Sequence, residues 1–176
     1  EHELISKFRK PGNTFIDVGS HAGRWVLPMA RFFKRVVAIE PNPLSFAVLV
    51  QNVREKKLSN VTTLRLAGGN FNGGGILCEL DGTPSRSTFY PEFSNLKVSQ
   101  GYTVPIAKLD SIVTGERISL LKVDVEGSEL DVLQGAKNLL MRWQPRVCVE
   151  THSNALYENC AKFLKGFRTP LKECGL

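Results

Sequence analysis

The stretch TFIDVGSHAG (residues 14–23) decides the fold. It is a short apolar run that ends in Asp17 and continues into Gly19 and Gly23. A glycine-containing turn from strand to helix lets a ligand approach the backbone closely and points the amino end of the helix at it. The spacing is not the G-x-G-x-x-G dinucleotide fingerprint, because His21 stands where its second glycine would be. The stretch therefore predicts a strand–turn–helix unit with a ligand at the turn.

Apolar runs alternate with helical patterns along the rest of the chain. VVAIE (36–40), VTTLRLA (61–67), ISLLKVD (118–124) and RVCVET (146–151) are typical of strands. Helices are expected over residues 24–33, from PNP (41–43) onward, over 128–143, and from Asn154 to a cap at Gly166. This alternation predicts an α/β fold with a mostly parallel, doubly wound sheet covered by helices on both faces.

Residues 68–102 break this alternation. They contain GGN, NGGG and DGTPSRS, with only short apolar runs between them. Such a long connection in a compact domain usually signals a functional loop or an inserted hairpin. We expect turns with one or two short strands here, inside a single domain that spans residues 1–176.

The composition sets limits on the class of protein. The chain has 176 residues, 42% of them hydrophobic and 23% charged, which suits one globular domain. No apolar stretch approaches the roughly 18 residues of a membrane span. The four cysteines form no C-x-x-C pair, so a zinc site is not expected. Free thiols, with Cys148 as a small buried residue, favour a cytoplasmic location, although four cysteines could also form two disulfides.

The net charge of +6 raises the question of a nucleic-acid partner. The basic residues, however, cluster where predicted helices end, as in Arg31, Lys34 and Arg35 or Arg54, Lys56 and Lys57. Cations there complement the helix dipole, so a nucleic acid is not the favoured partner.

Two acids at predicted strand ends indicate the ligand, because doubly wound sheets bind ligands beyond the carboxyl ends of their strands. Asp17 stands before the glycine turn, where its charge repels a pyrophosphate and suits an amino group. Glu40 ends the second strand, where a carboxylate can accept hydrogen bonds from both ribose hydroxyls. Together they predict a ligand that carries adenosine. Its expected contacts are Asp17, Gly19, Ser20, His21, Gly23, Glu40, Pro41, Asn42, Ala67 and Asp124.

LLKVDVEGSELDVLQGA (120–136) holds the densest set of acids. Asp124 and Glu126 flank the end of a predicted central strand and should lie at the mouth of the site. Glu129 and Asp131 fall in the first turn of the following helix, where acids favour the helix dipole. We therefore assign Asp131 wholly and Glu129 mostly to the helix, with Ser128 as its cap.

The neighbouring strand ends in Glu150 and His152, which period-two alternation places on the same side. They are expected to converge with Asp124 and Glu126, and the acids should raise the pKa of His152. A base is then available among His152, Glu126 and Asp124. No metal is expected, because no tight ligand spacing is present.

At this point the sequence resembles the FkbM family of methyltransferases over residues 14–166. FIDVGSHAG, VVAIEPNP, LDSI, LLKVDVEGSELDVLQGA and PRVCVETH occur in the order and spacing of that family. The resemblance implies a Rossmann-like class I fold and methyl transfer from S-adenosyl-L-methionine, usually to an oxygen of a sugar, glycan or natural product. It places Asp17, Gly19 and Gly23 in the cofactor loop and Glu40 at the ribose. Asp124 and Glu126 match the family's acidic motif.

Three other functions stay open. A nucleic-acid methyltransferase is favoured only by the charge, since no aromatic and basic binding stripe is evident. A non-catalytic adenosine-binding domain would keep the fold without the chemistry. A dehydrogenase is disfavoured because the dinucleotide fingerprint is absent. The chain ends in GFRTPLKECGL, which leaves room for one more strand. We therefore expect an incomplete C-terminal hairpin, whose open edge would allow an oligomer.

Overall fold

The computed structural model of the chain describes residues 7–167 and 171–173. The strands of this part are β1 (Gly12–Val18), β2 (Phe33–Ile39), β3 (Val61–Leu64), β4 (Ala67–Gly68), β5 (Gly73–Leu80), β6 (Thr83–Thr88), β7 (Val98–Ala107), β8 (Ile118–Val123), β9 (Arg146–Val149) and β10 (Leu171–Glu173). The helices are α1 (Val26–Met29), α2 (Pro43–Glu55), α3 (Leu109–Ile112), α4 (Glu129–Gly135), α5 (Lys137–Trp143) and α6 (Asn154–Leu164).

Six strands form a parallel central sheet in the order β10-β9-β8-β1-β2-β3. The strand order reverses between β1 and β8, so a crevice opens there at the carboxyl ends of the strands. The predicted Rossmann-like α/β sheet is confirmed. At one edge β10 pairs with β9 in parallel, so the described strands contain no antiparallel C-terminal hairpin. Oligomer formation through a sheet edge stays a prediction.

Neighbouring residues along each central strand are buried on opposite faces, which explains the unbroken apolar runs. Ile16 packs with Leu133 and Leu164 of α4 and α6, whereas Phe15 packs with Met29 and Leu49 of α1 and α2. Both faces of the sheet are thus covered by helices, as such strands require. The burial of these apolar side chains holds the strand ends, and with them the crevice, in place.

A second sheet occupies the segment predicted as mostly turns, so that prediction is wrong. Its four strands lie in the order β4-β7-β5-β6, and β5 pairs with both β6 and β7 in antiparallel fashion. Residues 68–102 therefore contain a hairpin insertion rather than a loop. The strand pattern was weak because β5 begins with the exposed or half-buried Gly73, Gly74 and Gly75, which carry no apolar signal.

Three predicted elements have different bounds. The helix expected over 24–33 is the short α1, followed by a 3₁₀ turn, because Phe33 already begins β2. The helix expected over 128–143 is broken at Ala136 into α4 and α5. The last helix ends at Leu164 with Lys165 as its cap, not Gly166. α4 packs closely against the Gly69 backbone at Gly135, where an added Cβ would meet the carbonyl oxygen of Gly69.

The cysteines differ from expectation. Cys78 and Cys160 are free, whereas Cys148 is disulfide-bonded. The expectation of free thiols is therefore wrong for Cys148, because scattered spacing alone shows no pairing. The thiol argument no longer supports a cytoplasmic location, which stays a prediction. None of the helices in the described part is long and apolar enough to cross a membrane.

Candidate active site

A cavity of about 570 Å³ lies where β1, β2 and β8 end, at the reversal of the strand order. We call it the strand-end cavity. Its volume falls within the range of small-molecule and cofactor sites, about 300–1,000 Å³. Its lining contains eight of the residues singled out from the sequence: Gly19, Ser20, His21, Glu40, Pro41, Ala67, Asp124 and Glu126. Asp17, Gly23 and Asn42 lie outside the lining.

The glycine turn after β1 forms one wall. Gly19 has a φ of +79°, and an added Cβ would lie 1.7 Å from the carbonyl oxygen of Asp124. Only glycine fits both this conformation and this approach. The backbone N–H groups of Gly19 and Ser20 donate to the carbonyl of Ile39 at 2.9 and 3.0 Å, which ties the turn to β2. Gly23, also at positive φ, is buried behind the turn.

Lys122 was not singled out from the sequence, yet it organises the base of the cavity. It is 4% exposed, and its Nζ lies 3.4 Å from Oδ1 of Asp17 and 3.1 Å from Oδ2 of Asp124. Nζ also donates to the carbonyl of Gly19 at 3.1 Å. Burial alone would lower the pKa of Lys122, but the two carboxylates outweigh burial and raise it. The sequence does contain a signal for this role. Lys122 lies inside an apolar strand, and a lysine that is buried there needs charged partners.

Asp17 consequently lies beneath the cavity rather than in its wall. Its side chain is fully buried, and burial raises its pKa although Lys122 opposes this. The contact with an amino group of the ligand that was expected of Asp17 would therefore have to come from residues that line the cavity. Asp124 reaches the lining next to Lys122 and is the carboxylate that can accept from such an amino group.

Glu40 ends β2 with its carboxylate in the cavity wall. It is 6% exposed and accepts hydrogen bonds from the backbone N–H groups of His21 at 2.8 Å and Asn42 at 2.9 Å. Burial raises its pKa to about 7, while these two hydrogen bonds oppose the shift. The carboxylate is thus fixed in orientation before any ligand arrives.

Asn42 has a structural role instead of a place in the cavity. Its side-chain oxygen caps α2 by accepting from the N–H groups of Leu44 and Ser45. Its Nδ2 donates to Glu79 at 3.2 Å and to Ser87 at 3.0 Å, both in the second sheet. Asn42 therefore joins the central sheet to the inserted one.

His152 stands among three carboxylates beyond the ends of β8 and β9. Its Nε2 lies 3.3 Å from Oδ1 of Asp124 and 3.7 Å from Oε1 of Glu129, and its Nδ1 lies 3.8 Å from Oε2 of Glu126. The hydrogen bond with Asp124, opposed by burial, raises the pKa of His152 to about 9. Burial raises the pKa of Glu126, and the charge of Glu150 raises it further.

The structure corrects the assignment of Glu129 to the helix dipole. Glu129 is fully buried, and its Oε1 accepts from the N–H groups of Val125 and Gly127 at 3.1 and 3.2 Å. The side chain of Glu129 therefore turns back toward residues 124–128, which we call the acidic loop. Burial there raises the pKa of Glu129. Ser128 does not cap α4 with its side chain. Its buried hydroxyl has no hydrogen-bond partner among the described residues, and the residue belongs to the lining of the strand-end cavity.

The ligand atoms of Asp124, Glu129 and His152 lie within 4.8 Å of one another, the spacing of a metal site. A divalent cation there would share Asp124 with the ammonium group of Lys122, 3.1 Å away. Lys122 and a protonated His152 already offset the negative charge, so this arrangement does not call for a metal.

A second cavity, of about 740 Å³, lies on the far side of Glu126, which lines both cavities. Its walls come from the inserted sheet, the acidic loop and α6. Glu126 has a φ of +54°, and Thr88 fixes this strained turn by donating from Oγ1 to the Glu126 carbonyl at 2.7 Å. Asp131, assigned to the helix dipole, instead accepts a 2.6 Å hydrogen bond from the hydroxyl of Tyr90.

The sheet order and the cavity at its reversal define a class I methyltransferase fold. A crystal structure of an FkbM methyltransferase from Methylobacillus flagellatus is similar, with a TM-score of 0.68 and 18% identity over 91% of this chain and 38% of that one. The precorrin-6y C5,15-methyltransferase of Geobacter metallireducens has a TM-score of 0.58 and 11% identity, covering 94% of this chain and 67% of that one.

The chain belongs to the FkbM methyltransferase family, because the model of the methyltransferase FkbM domain matches residues 17–175. It is 31% identical over 147 residues to Methyltransferase 1 of Beauveria bassiana, which covers 71% of this chain and 59% of that protein. It is 29% identical over 174 residues to methyltransferase sdnD of Sordaria araneosa, which covers 80% of this chain and 67% of that protein. The chain thus spans about three fifths of the length of the first relative.

Proposed function

We propose that this chain transfers a methyl group from S-adenosyl-L-methionine to a hydroxyl oxygen of a small-molecule or glycan acceptor. The observation that carries the proposal is the meeting of two cavities at Glu126. One is lined by the glycine turn and the Glu40 carboxylate, and the other contains His152. The family membership supports methyl transfer as the chemistry.

The strand-end cavity fits the cofactor. Glu40 presents a fixed carboxylate for the ribose hydroxyls, and the absence of a side chain at Gly19 leaves the backbone open to close approach. The buried, unpartnered hydroxyl of Ser128 offers a further hydrogen bond. When bound, S-adenosyl-L-methionine supplies an activated methyl group on a sulfonium sulfur.

The acidic loop provides the group that takes the acceptor proton. Burial pushes the pKa of Asp124 up, but hydrogen bonds from His152 and Lys122 outweigh it and lower the pKa, so Asp124 is a weak base. His152, with a pKa of about 9, holds a proton at neutral pH in the absence of ligand. Glu126 lines both cavities and burial raises its pKa, so it is the carboxylate that we propose accepts the proton. Above about pH 9, where His152 loses its own proton, it becomes a second base beside Glu126.

Calorimetry with S-adenosylhomocysteine tests the proposed cofactor site. Glu40→Gln should weaken binding by about 1–3 kcal/mol, the range for a charge-assisted hydrogen bond to a buried carboxylate. Glu55→Gln, at the exposed end of α2, is the control and should bind as the wild type does. Thermal melting confirms that both variants fold. Unchanged affinity in a folded Glu40→Gln protein would remove Glu40 from the site, and no binding to the wild type would overturn the function.

A further inference from the structure

We propose that the second cavity takes an acceptor with an apolar body and a hydroxyl at one end, in preference to a free sugar. The proposal rests on the methyl-transfer function above, since it treats this cavity as the acceptor site. The cavity has room for a molecule of two or three fused rings, and its volume of about 740 Å³ lies within the usual range of small-molecule sites.

The larger part of the surface of the wall is apolar, and five of its residues are aliphatic. Its apolar members are Leu80, Leu96, Leu130, Ala155 and Leu156. They come from the end of β5, the segment before β7, α4 and α6, so four separate parts of the chain converge to build one apolar surface. An acceptor with an apolar body gains affinity by burying its surface against these side chains.

Most polar groups of the wall already bond to the protein. The hydroxyl of Thr88 donates to the carbonyl of Glu126, and the hydroxyl of Tyr90 donates to Asp131. Asp131 also accepts from Nδ2 of Asn70 at 2.7 Å. These groups shape the wall and hold it rigid, but they offer little to a ligand.

The two serines of the wall each accept one hydrogen bond from a backbone N–H group, which leaves their own O–H groups able to donate. Ser94 accepts from the backbone N–H of Leu96 at 3.1 Å, and Ser153 caps α6 by accepting from the N–H of Leu156 at 3.2 Å. A free sugar carries hydroxyls around its whole ring, and a site for it needs several uncommitted polar groups that point at the ligand. In this wall Thr88, Tyr90 and Asp131 are committed to the protein, and the uncommitted Arg86 and Asn159 are exposed, so the less exposed part of the wall offers such a ring few hydrogen bonds.

One polar corner remains, at Glu126 and His152. The Nδ1 of His152 lies 3.8 Å from Oε2 of Glu126, and Glu126 also faces the strand-end cavity. A hydroxyl placed at this corner therefore meets a proton acceptor that also borders the proposed cofactor cavity. Arg86 and Asn159, which are exposed and without a hydrogen-bonding partner in the described part of the chain, lie in the same lining and suit a polar substituent elsewhere on the acceptor.

Binding of 2-naphthol, an apolar two-ring body with one hydroxyl, tests the assignment. Its fluorescence is titrated against the protein in the presence of S-adenosylhomocysteine, with glucose as competitor. We expect saturable binding that glucose at a hundredfold excess does not displace. Leu96→Asn should weaken 2-naphthol binding at least fivefold. The matched control is Val98→Asn, two residues further on at an exposed position outside the lining, and it should change nothing.

Ala155→Trp provides a second variant at an exposed position of α6, where a large side chain fills the cavity without disturbing the core. It should also block 2-naphthol while leaving S-adenosylhomocysteine affinity, measured by calorimetry, as in the wild type. Displacement by glucose, no binding of 2-naphthol, or unchanged binding in both variants would overturn the proposed acceptor class. Loss of S-adenosylhomocysteine binding in the wild type would instead overturn the proposed function.

Discussion

Replacing Lys122 with methionine should destabilise the chain by about 3–5 kcal/mol at neutral pH, the cost of breaking a buried ion pair by removing one partner. The side chain of Lys122 is 5% exposed and serves two carboxylates and a carbonyl at once. Asp17 is the critical partner, because its side chain is 1% exposed and Lys122 is its one salt-bridge partner among the residues described. Methionine keeps the length of the side chain, so packing changes little.

The penalty should depend on pH, with a sign that follows from Asp17. Burial already raises its folded pKa, and loss of the ammonium group raises it further. An acid with a raised folded pKa contributes stability that is fully present below its unfolded pKa, 3.8 for Asp17, and is lost as the pH rises through the folded value. The difference between wild type and variant should therefore be small in acid and grow toward neutral pH.

Urea denaturation followed by circular dichroism between pH 4 and pH 7.5 measures this difference. Lys34→Met, at an exposed position of the neighbouring strand β2, is the control and should stay within about 0.5 kcal/mol of the wild type. Adding Asp17→Asn to Lys122→Met should recover part of the loss, because the uncompensated charge is gone. A Lys122→Met penalty below about 1 kcal/mol at pH 7, well under the range for buried pairs, or one that does not vary with pH would refute the reasoning.

Two further outcomes are expected. Gly19→Ala should abolish S-adenosylhomocysteine binding in calorimetry, since its Cβ would meet the Asp124 carbonyl. Gly115→Ala, at a φ of +82° with nothing within 4 Å, should bind normally and thereby separate backbone strain from the clash. His152 should titrate near pH 9 in NMR spectra of the ligand-free protein, mainly through its hydrogen bond with Asp124. The contribution of His152 to the free energy of unfolding should be complete below about pH 6.5 and fall as the pH rises through 9. His152→Gln should flatten that part of the stability–pH curve. A His152 that titrates at or below pH 6.5 would contradict this account.

The central sheet was predictable because buried parallel strands have a composition that few other elements share. Residues 36–40, 118–123 and 146–149 are almost wholly apolar and sit between helical patterns. The acids that follow them had to lie at the carboxyl edge, whatever the details of packing.

One pair of residues in the sequence does indicate the second sheet. Asp81 and Gly82 form the two-residue turn between β5 and β6, and both have positive φ. Asp-Gly is among the strongest sequence indications of such a hairpin. The strand signals of β5 and β6 are weak, because β5 opens with three glycines and β6 holds no large apolar residue, and the pairing of the sheet is chosen by tertiary contact.

Local patterns of residues are enough to specify the α/β class, the glycine turn at Gly19 and the placement of Glu40 and His152 after strands. That Asp17 faces Lys122 follows instead from packing, since these residues are partners in the register of β1 on β8, about a hundred positions apart in the chain. The same holds for Glu129. Its place in a first helical turn assigned it mostly to the helix dipole, yet its carboxylate accepts from the backbone N–H groups of Val125 and Gly127. Register and side-chain direction are properties of packed neighbours, and no local pattern contains them.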